Sequence, residues 1–201
     1  MEEENSTDRA IVFIDGNNLY HCLKERGWKT WIDIGKLSER LVGNRTLRHI
    51  FYYNAHPPGG KPHTKKGNEY LAQVKKTPNL TFRAAWLQPE QRADEYGAYQ
   101  SYREKGGDTF LSTDLVSQAA DNEFDVAIIV SNDGDYAPSA RKVCDGYGKS
   151  VEVVYFEGNR PFAMESCSLM RVFRKGFITE YDYQRPQRQS RRPSRRRPRR
   201  R

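Results

Sequence analysis

Short apolar runs recur along the chain at intervals that suit buried strands. They occupy residues 10–14, 47–53, 80–86, 125–131 and 150–155. The first run, AIVFI, is continuous and rich in β-branched residues, which is typical of a strand buried on both faces of a parallel sheet. Residues 80–86 alternate more between apolar and polar, which suits an edge strand. The pattern therefore predicts five strands.

Segments with helical spacing separate these runs. The predicted helices lie around Leu19–Leu23 and over Ile34–Val42, Lys65–Lys76, Thr109–Ala120 and Pro138–Cys144, with a last one over Pro161–Leu169. Strands that alternate with helices indicate βαβ units and a largely parallel sheet. Two polar stretches, 54–63 and 88–107, are predicted as long loops, which in a compact α/β domain are usually functional or mobile.

The length of 201 residues accommodates one domain and some additional chain. We expect a disordered N-terminus over residues 1–7, an α/β domain over 8–178 and a disordered Arg-rich tail over 179–201. The tail prediction rests on composition, because arginine with Pro, Ser and Gln cannot bury enough apolar surface to fold.

The composition indicates in which cellular compartment the protein is expected. The apolar content is 36%, the mean hydropathy is −0.91, and no run of about 18 apolar residues could form a membrane span. The acidic start does not suit a secretory signal. Three cysteines lie far apart, which fits reduced thiols rather than a disulfide framework or a metal knuckle. These features predict a cytoplasmic protein without a membrane partner, and leave homo-oligomerisation open.

The net charge of +8 is concentrated at one end. Residues 183–201 contain ten arginines and no acid, whereas the rest of the chain carries 24 basic and 26 acidic residues. A cationic arm of this kind binds nucleic-acid phosphates with an affinity that falls with salt. The predicted phosphate contacts are Arg191, Arg192, Arg195, Arg196 and Arg197. A solubility tail or cloning remnant is the alternative.

Acidic residues follow two of the predicted strands. Asp15 ends the first, and Asp133 and Asp135 follow the fourth. In open α/β sheets, ligands bind beyond the carboxyl ends of the strands, where the strand order reverses. An order of 3-2-1-4-5 would bring Asp15 and Asp133 within metal-bridging reach. Asp108, which starts a predicted helix, would point to the same edge.

Carboxylates at one edge predict a site for a hard divalent cation. Mg²⁺ and Mn²⁺ prefer oxygen ligands, and a site with open positions can bind a phosphodiester and activate a water for in-line attack. Such a site needs no histidine or cysteine, and the sequence places none for the task. Repulsion between the acids would raise some carboxyl pKa values when no cation is bound.

Each residue also has a simpler interpretation. Asp15 could form an Asx turn, and Asp108 could cap the following helix. Asp114 lies about 240° around that helix from Asp108, which favours a supporting or surface position over ligation. Asn18 and Ser131 could orient a carboxylate or water, or only cap turns.

Several motifs together resemble a known family. They are FIDGNNL at residues 13–19, KGGD at 105–108 with Asp114 beyond it, VSNDGDY at 130–136 and GKSVEV at 148–153. In order and spacing they resemble the NYN domain, and most closely its LabA-like branch within the PIN-like nuclease group. The resemblance covers roughly residues 8–175.

The resemblance implies a PIN-like three-layer α/β/α sandwich with a mainly parallel five-stranded sheet in the order 3-2-1-4-5. It also implies a Mg²⁺- or Mn²⁺-dependent ribonuclease whose metal ligands and catalytic residues are Asp15, Asp108, Asp133 and Asp135, the last directly or through water. Asn132 departs from the pattern, since many relatives carry glycine there, and we expect it to add bulk beside the site. Some members of the family are better supported as regulators, so the fold does not settle activity.

The leading hypothesis is a metal-dependent endoribonuclease acting on single-stranded RNA. Three lysines near the Pro-Gly segment are candidate phosphate contacts or an ordinary solvated face: Lys61, Lys65 and Lys66. Three tyrosines at three-residue spacing could stack on bases or form a helical packing face: Tyr96, Tyr99 and Tyr102.

Two rival hypotheses differ in class. A non-catalytic RNA-binding or regulatory protein would keep the cleft, although binding phosphate requires no carboxylate cluster. A haloacid-type phosphatase would carry Asp-x-Asp after the first strand, whereas this chain has Asp15-Gly16-Asn17. RNA rather than DNA as the substrate rests on the family resemblance.

Overall fold

A mixed β-sheet forms the centre of the molecule. The computed structural model describes residues 8–55, 62–95, 97–165, 169–173 and 178, with the backbone alone at 62–65, 103 and 104. Within these residues the strands are β1 (Arg9–Asp15), β2 (Thr46–Ala55), β3 (Leu80–Asp94), β4 (Gly97–Lys105), β5 (Val126–Val130), β6 (Ser150–Phe156) and β7 (Leu169–Phe173). The helices are α1 (Gly16–Glu25), α2 (Ile34–Val42), α3 (Pro62–Val74), α4 (Gly107–Ala120) and α5 (Ala137–Tyr147), with a 3-10 turn at Phe162–Met164.

The strand order is β4-β3-β2-β1-β5-β6-β7. Neighbouring strands are parallel except for β3 and β4, which form an antiparallel hairpin. The chain first moves outward from β1 to β2 and β3, and then returns to place β5 on the other side of β1. The strand order therefore reverses between β1 and β5, which is where a parallel sheet leaves a crevice at its carboxyl edge.

Apolar side chains cover both faces of the sheet. In β1, Val12 and Ile14 face the layer formed by α1, α2 and α3, whereas Ile11 and Phe13 face α4 and α5. Residues 10–14 of this strand are all buried, as the continuous apolar run predicts. The architecture is a three-layer α/β/α sandwich, and β1 is buried at its centre.

The predicted sheet of five mainly parallel strands in the order 3-2-1-4-5 is not matched, because the described sheet is mixed and has seven strands. The five apolar runs correspond to β1, β2, β3, β5 and β6. The two further strands, β4 and β7, flank them. Both lie at sheet edges: β4 is largely exposed and carries no apolar run, whereas the short β7 begins at Leu169, the predicted end of the last helix.

Two predictions for irregular or helical segments are wrong. The stretch 88–107 is not a long loop, since β3 continues to Asp94 and β4 pairs with it. The last predicted helix, Pro161–Leu169, is a short 3-10 turn at Phe162–Met164, and Leu169 begins β7. Tyr99 and Tyr102 lie on β4, so they form no helical packing face, and Tyr96 is outside the described residues.

The predicted terminal segments, 1–7 and 179–201, lie outside the described residues. Among the helices that are described, none is both long and apolar enough to cross a membrane.

Candidate active site

A cleft of about 260 Å³ opens at the carboxyl edge of the sheet, beside the ends of β1 and β5. It is lined by Asp15, Asn17, Asn18, His21, Gly106, Gly107, Asp108 and Asp133. The structure thus brings three of the four predicted carboxylates to one cleft. They come from three separate elements: the end of β1, the first turn of α4 and the segment after β5.

Asp15 is both the last residue of β1 and the N-cap of α1. Its Oδ1 accepts a hydrogen bond from the backbone N–H of Asn18 at 2.9 Å. Its Oδ2 accepts from Ser131 Oγ at 3.3 Å and from the Tyr136 hydroxyl at 2.9 Å. The alternative expected for Asp15 was an Asx turn; the side chain instead caps α1, and this role coexists with a place in the cleft.

The surroundings of Asp15 disfavour its charge. Burial raises the pKa of this carboxyl, and the negative charge of Asp108 acts in the same direction. The hydrogen bonds from Asn18 and Tyr136 favour the ionised form but leave the pKa raised. A carboxylate in this environment is stabilised by a nearby positive charge.

Tyr136 joins two of the acids through one hydroxyl group. Its oxygen lies 2.9 Å from Asp15 Oδ2 and 3.0 Å from Asp108 Oδ1, so these two carboxylate oxygens are no further apart than the sum of the two distances. The hydroxyl has one proton and can donate to one ionised carboxylate at a time. Burial and the charges of Asp15 and Asp108 raise the pKa of the phenol, which keeps it neutral.

Tyr136 is a site residue that reasoning from the sequence missed. It is buried, with 1% of its surface exposed, at the N-terminus of α5. In the sequence it follows Asp133-Gly134-Asp135 directly, and that position was the available signal.

Asp108 lies in the first turn of α4, where the helix dipole favours a negative charge. The N-cap of this helix is Gly106, in a left-handed conformation with φ 94°, so the interpretation of Asp108 as the cap is wrong. The Asp108 side chain is exposed to the cleft, and its contact with Tyr136 is the link to Asp15.

Asp133 and Asp135 take different positions after β5. Asp133 lines the cleft, and its Oδ1 accepts a hydrogen bond from the backbone N–H of Asp135 at 2.9 Å. The N–H of Asp133 donates to Ser131 Oγ at 3.1 Å, so the hydroxyl that supports Asp15 also fixes this turn. Asp135 is exposed and is not among the residues that line the cleft.

The predicted supporting residues Asn18 and Ser131 both contribute to the segment after β5. Ser131 is buried and reaches Asp15, while Asn18 Oδ1 accepts from the N–H of Asn132 at 3.0 Å. Asn132 turns away from the cleft: its amide donates to Cys22 Sγ at 2.9 Å and its Oδ1 accepts from the N–H of Phe156 at 2.7 Å. The expectation that Asn132 adds bulk beside the site is wrong, because it ties the end of β5 to α1 and β6.

Asp114 lies outside the cleft. It forms a two-point ion pair with Arg83, at 2.9 Å for both contacts, and accepts a hydrogen bond from the Tyr53 hydroxyl at 3.0 Å. These partners belong to β3 and β2, so Asp114 fastens α4 to the sheet. None of these contacts reaches a carboxylate of the cleft.

His21 also lines the cleft, which corrects the prediction that no histidine is placed there. It is exposed and lies in α1, four residues after Asn17 and three after Asn18. Residues at these spacings share one face of a helix, and that was the signal in the sequence. His21 adds a group that can donate a hydrogen bond to a phosphate.

The candidate phosphate contacts are largely untested by the structure. Lys66 is an exposed residue of α3. Lys61, the side chain of Lys65 and the tail arginines Arg191, Arg192, Arg195, Arg196 and Arg197 lie outside the described residues.

The chemical type of the donor atoms in the cleft suits a hard divalent cation. Asp15, Asp108 and Asp133 present carboxylate oxygens to one cleft, and oxygen is the ligand that Mg²⁺ and Mn²⁺ prefer. Within the described ranges, no three side chains of His, Cys, Asp or Glu lie close enough together to hold a metal ion as they stand. Ligation would therefore require the exposed Asp108 and the half-buried Asp133 to turn toward Asp15.

Comparisons with known proteins identify the fold and the family of the chain. No curated protein matches the sequence. A solved structure of a protein of unknown function from Vibrio parahaemolyticus is similar, with a TM-score of 0.61 and 16% identity over 88% of this chain and 99% of that chain. That likeness shows the fold alone.

A family model of the NYN domain matches residues 9–180, which is most of the chain and includes every element around the cleft. The LabA-like branch is not distinguished by this match and stays a prediction. The chain belongs to the NYN domain family, whose members are PIN-like nuclease domains.

Proposed function

We propose that this protein is a divalent-metal-dependent endoribonuclease that hydrolyses phosphodiester bonds in single-stranded RNA, with the Arg-rich tail as a nucleic-acid-binding arm. The observation that carries the proposal is the contact of one buried hydroxyl, that of Tyr136, with both Asp15 and Asp108, in a cleft that Asp133 also lines. A surface that only binds phosphate gains nothing from three carboxylates, since they repel the ligand.

The metal ligands in this proposal are Asp15, Asp108 and Asp133, with Asp135 acting directly or through water. A bound Mg²⁺ or Mn²⁺ supplies neutralisation of the phosphodiester charge and activation of a water for in-line attack. Ser131 and Tyr136 hold Asp15 Oδ2 in position by donating hydrogen bonds to it. His21, which lines the same cleft, is available to contact a phosphate oxygen or the departing hydroxyl.

The second candidate is a non-catalytic RNA-binding or regulatory NYN protein. The observation that favours it is the lack of any preformed group of three metal-binding side chains among the described residues. In that case the tail arginines supply most of the affinity, and the cleft is a remnant of the fold.

A cleavage assay separates the two candidates. A labelled single-stranded RNA is incubated with the full chain in Mn²⁺, Mg²⁺ or EDTA, beside Asp133→Asn and the matched variant Asp145→Asn, which changes an exposed acid on α5. We expect EDTA and Asp133→Asn to abolish cleavage and Asp145→Asn to leave it unchanged. Cleavage that survives both EDTA and Asp133→Asn rejects the metal mechanism, whereas RNA binding without cleavage supports the regulatory candidate.

The same assay with a single-stranded DNA of equal sequence tests the preference for RNA. We also infer a cytoplasmic setting, since Cys22 and Cys144 are both in the reduced thiol form, and we leave homo-oligomerisation as a prediction to be measured by light scattering.

A further inference from the structure

We infer that one face of the β3–β4 hairpin is a track for single-stranded RNA that leads into the cleft. This face, called here the hairpin track, carries Trp86, Lys105, Arg92 and Tyr99. The inference rests on the proposed function, since it names the surface that would hold the strand on which the cleft acts.

The hairpin projects from the same edge of the sheet as the cleft. Ala55, the last residue of β2, pairs with Ala85 of β3, and Asp15 at the end of β1 pairs with Tyr53. The strand β3 continues from Trp86 to Asp94 beyond this edge. At about 3.3 Å per residue, this extension reaches about 30 Å past the carboxyl ends of the central strands.

The pairing register decides which side chains share a face. Trp86 lies directly opposite Lys105, and Arg92 lies directly opposite Tyr99. Directly paired residues point to the same face, and residues separated by an even number along a strand do so too. Trp86, Lys105, Arg92 and Tyr99 therefore share one face. Tyr102, paired with Pro89, lies on the other.

Trp86 connects the track to the wall of the cleft. A Cβ placed on Gly106 would lie 2.5 Å from the Trp86 ring, so the indole rests directly on this glycine, and Gly106 lines the cleft. The ring also makes an edge-to-face contact with Phe110 of α4, with centroids 6.0 Å apart. The indole is thus fixed in place next to the backbone that leads to Asp108.

The aromatic rings of the track belong to regular strands but are uncovered. Trp86 is 57% exposed and Tyr99 is 46% exposed, although both lie in the paired ladder. Large aromatic side chains usually bury most of their surface, so two exposed rings on one hairpin face mark a binding surface. A two-stranded extension has no core of its own for which these rings would be needed.

The chemistry of the face favours a single-stranded nucleic acid. Exposed aromatic rings stack on unpaired bases whatever the sequence, and flanking cations contact the phosphates. Lys105 supplies a cation beside Trp86. Glu90 lies on the same face and pairs with the Arg92 guanidinium at 3.1 Å, so it offsets the charge of Arg92, and Lys105 is the main phosphate contact of the track. A base on Trp86 would place the adjoining phosphate close to Gly106 and Asp108, which is where cleavage is proposed.

The two exposed rings of the track are far enough apart for RNAs of different length to distinguish them. Trp86 and Tyr99 are six residue positions apart along the ladder, which is about 20 Å. A short oligonucleotide can therefore cover Trp86 and the cleft but not Tyr99, whereas a longer one covers both. Binding-site lengths of roughly 4 to 16 nucleotides are common on single-strand binding surfaces.

The test uses the full chain, EDTA to prevent cleavage, and RNA oligonucleotides of roughly 4 and 16 nucleotides. The first readout is tryptophan fluorescence, because Trp28 and Trp31 pack against the core whereas Trp86 is exposed. We expect both RNAs to quench the emission, and Trp86→Phe to remove that quenching while it keeps most of the affinity.

The second readout is affinity and turnover. We expect Trp86→Ala to weaken binding of both RNAs about tenfold, and Tyr99→Ala to weaken only the longer one. Tyr102→Ala, on the opposite face and 44% exposed, is the matched control and should change neither. In Mn²⁺, Trp86→Ala should raise KM and leave kcat close to that of the unaltered chain, with the fold checked by circular dichroism.

The outcomes distinguish this inference from the proposed function. Cleavage by the unaltered chain without quenching or any effect of Trp86→Ala overturns the track and leaves the nuclease in place. Quenching with the expected pattern of variants, but without cleavage in any metal, supports the track and rejects the nuclease. Equal losses in Trp86→Ala and Tyr102→Ala overturn the track, because they point to a surface on both faces, such as one for a protein partner.

Discussion

The hydroxyl oxygen of Tyr136 lies 2.9 Å from Asp15 Oδ2, at the point where β1 ends and α5 begins. The same oxygen lies 3.0 Å from Asp108 Oδ1. The hydroxyl has one proton, so it can donate a hydrogen bond to only one of the two carboxylates at a time. The two acids are therefore held close together while their negative charges still repel each other. A cation in the cleft would reduce the repulsion between Asp15 and Asp108. The contact of each carboxylate with the Tyr136 hydroxyl would then help to fix its orientation.

Tyr136→Phe tests this positioning role. The ring should still fill its buried site, so the protein should fold, but Asp15 and Asp108 would no longer share a partner. Loss of a hydrogen bond that orients a metal ligand typically lowers metal affinity or activity 10–100-fold. We expect the Mn²⁺ concentration for half-maximal cleavage to rise by about tenfold or more. A matched variant is Tyr147→Phe, on the far end of α5, which should leave the metal dependence unchanged. An unaltered Mn²⁺ titration in Tyr136→Phe assigns its hydroxyl to packing alone.

The raised pKa of Asp15 predicts a pH dependence of stability. A carboxyl whose pKa is higher in the folded than in the unfolded protein binds more protons when folded, so stability falls as pH rises between the two pKa values. The window begins near the ordinary aspartate pKa of 3.8 and extends upward to the raised pKa of Asp15. In the metal-free chain, Asp15→Asn should remove this fall and increase the free energy of unfolding at neutral pH.

Urea unfolding at a series of pH values, compared between the unaltered chain and Asp15→Asn, measures this difference. Acids whose effect on stability has the opposite pH dependence contribute equally to both chains, so the difference between the chains removes their contribution. Asp125, whose pKa is lowered by Arg9, is one of them. Adding Mg²⁺ should stabilise the unaltered chain at neutral pH and have little effect on Asp15→Asn. If Asp15→Asn is less stable than the unaltered chain at every pH, capping of α1 outweighs the burial of charge.

We expect the Arg-rich tail to account for most of the salt dependence of RNA binding. Removing residues 184–201 deletes ten arginines. For single strands, the slope of log affinity against log salt changes by about 0.7 for each phosphate that the protein no longer neutralises, so the slope should flatten by up to about 7. Replacing all ten with lysine keeps the charge and should keep most of the slope. Cleavage of a short RNA at low salt should persist in the truncated chain. A slope that the deletion leaves unchanged assigns the tail no part in binding.

The centre of the fold could be predicted from the sequence because burial on both faces leaves a local signal. The runs that form β1 and β5 are continuous and apolar, and an acid follows each of them. Parallel strands share a carboxyl edge, so Asp15 and Asp133 could be placed together from the sequence alone. That the Asp15 side chain accepts a local backbone hydrogen bond was also foreseeable, since Asp-Gly-Asn favours an Asx turn, although the observed contact with Asn18 is an N-cap.

The hairpin and Tyr136 could not be found in the same way. Both faces of the extension beyond Ala85 are largely exposed, so residues 88–105 show no alternation of apolar and polar positions. The register that puts Trp86 opposite Lys105 exists only once the strands pair. Tyr136 looks like an ordinary core aromatic in sequence, and only packing brings its hydroxyl to two carboxylates that are 28 and 121 residues away.

Gly106 joins the hairpin to the cleft. We expect its replacement by alanine to lower stability and, by displacing the Trp86 ring, to weaken RNA binding. It adopts φ 94°, a left-handed conformation that costs an alanine about 1–2 kcal/mol. A Cβ there would also meet the Trp86 ring at 2.5 Å, and overpacking of this kind adds about 1–3 kcal/mol unless the indole moves. Gly106→Ala should therefore lower the free energy of unfolding by more than backbone strain alone.

Gly27→Ala isolates the backbone contribution, because Gly27 has φ 62° and no atom lies within 4 Å of the position that its Cβ would take. Urea unfolding should show a larger decrease in stability for Gly106→Ala than for Gly27→Ala. The double variant Gly106→Ala with Trp86→Ala should recover the excess, since it removes the ring that the new methyl group meets. Equal decreases in the two single variants would mean that the indole swings aside at little cost, and RNA quenching of Trp86 would then be retained in Gly106→Ala.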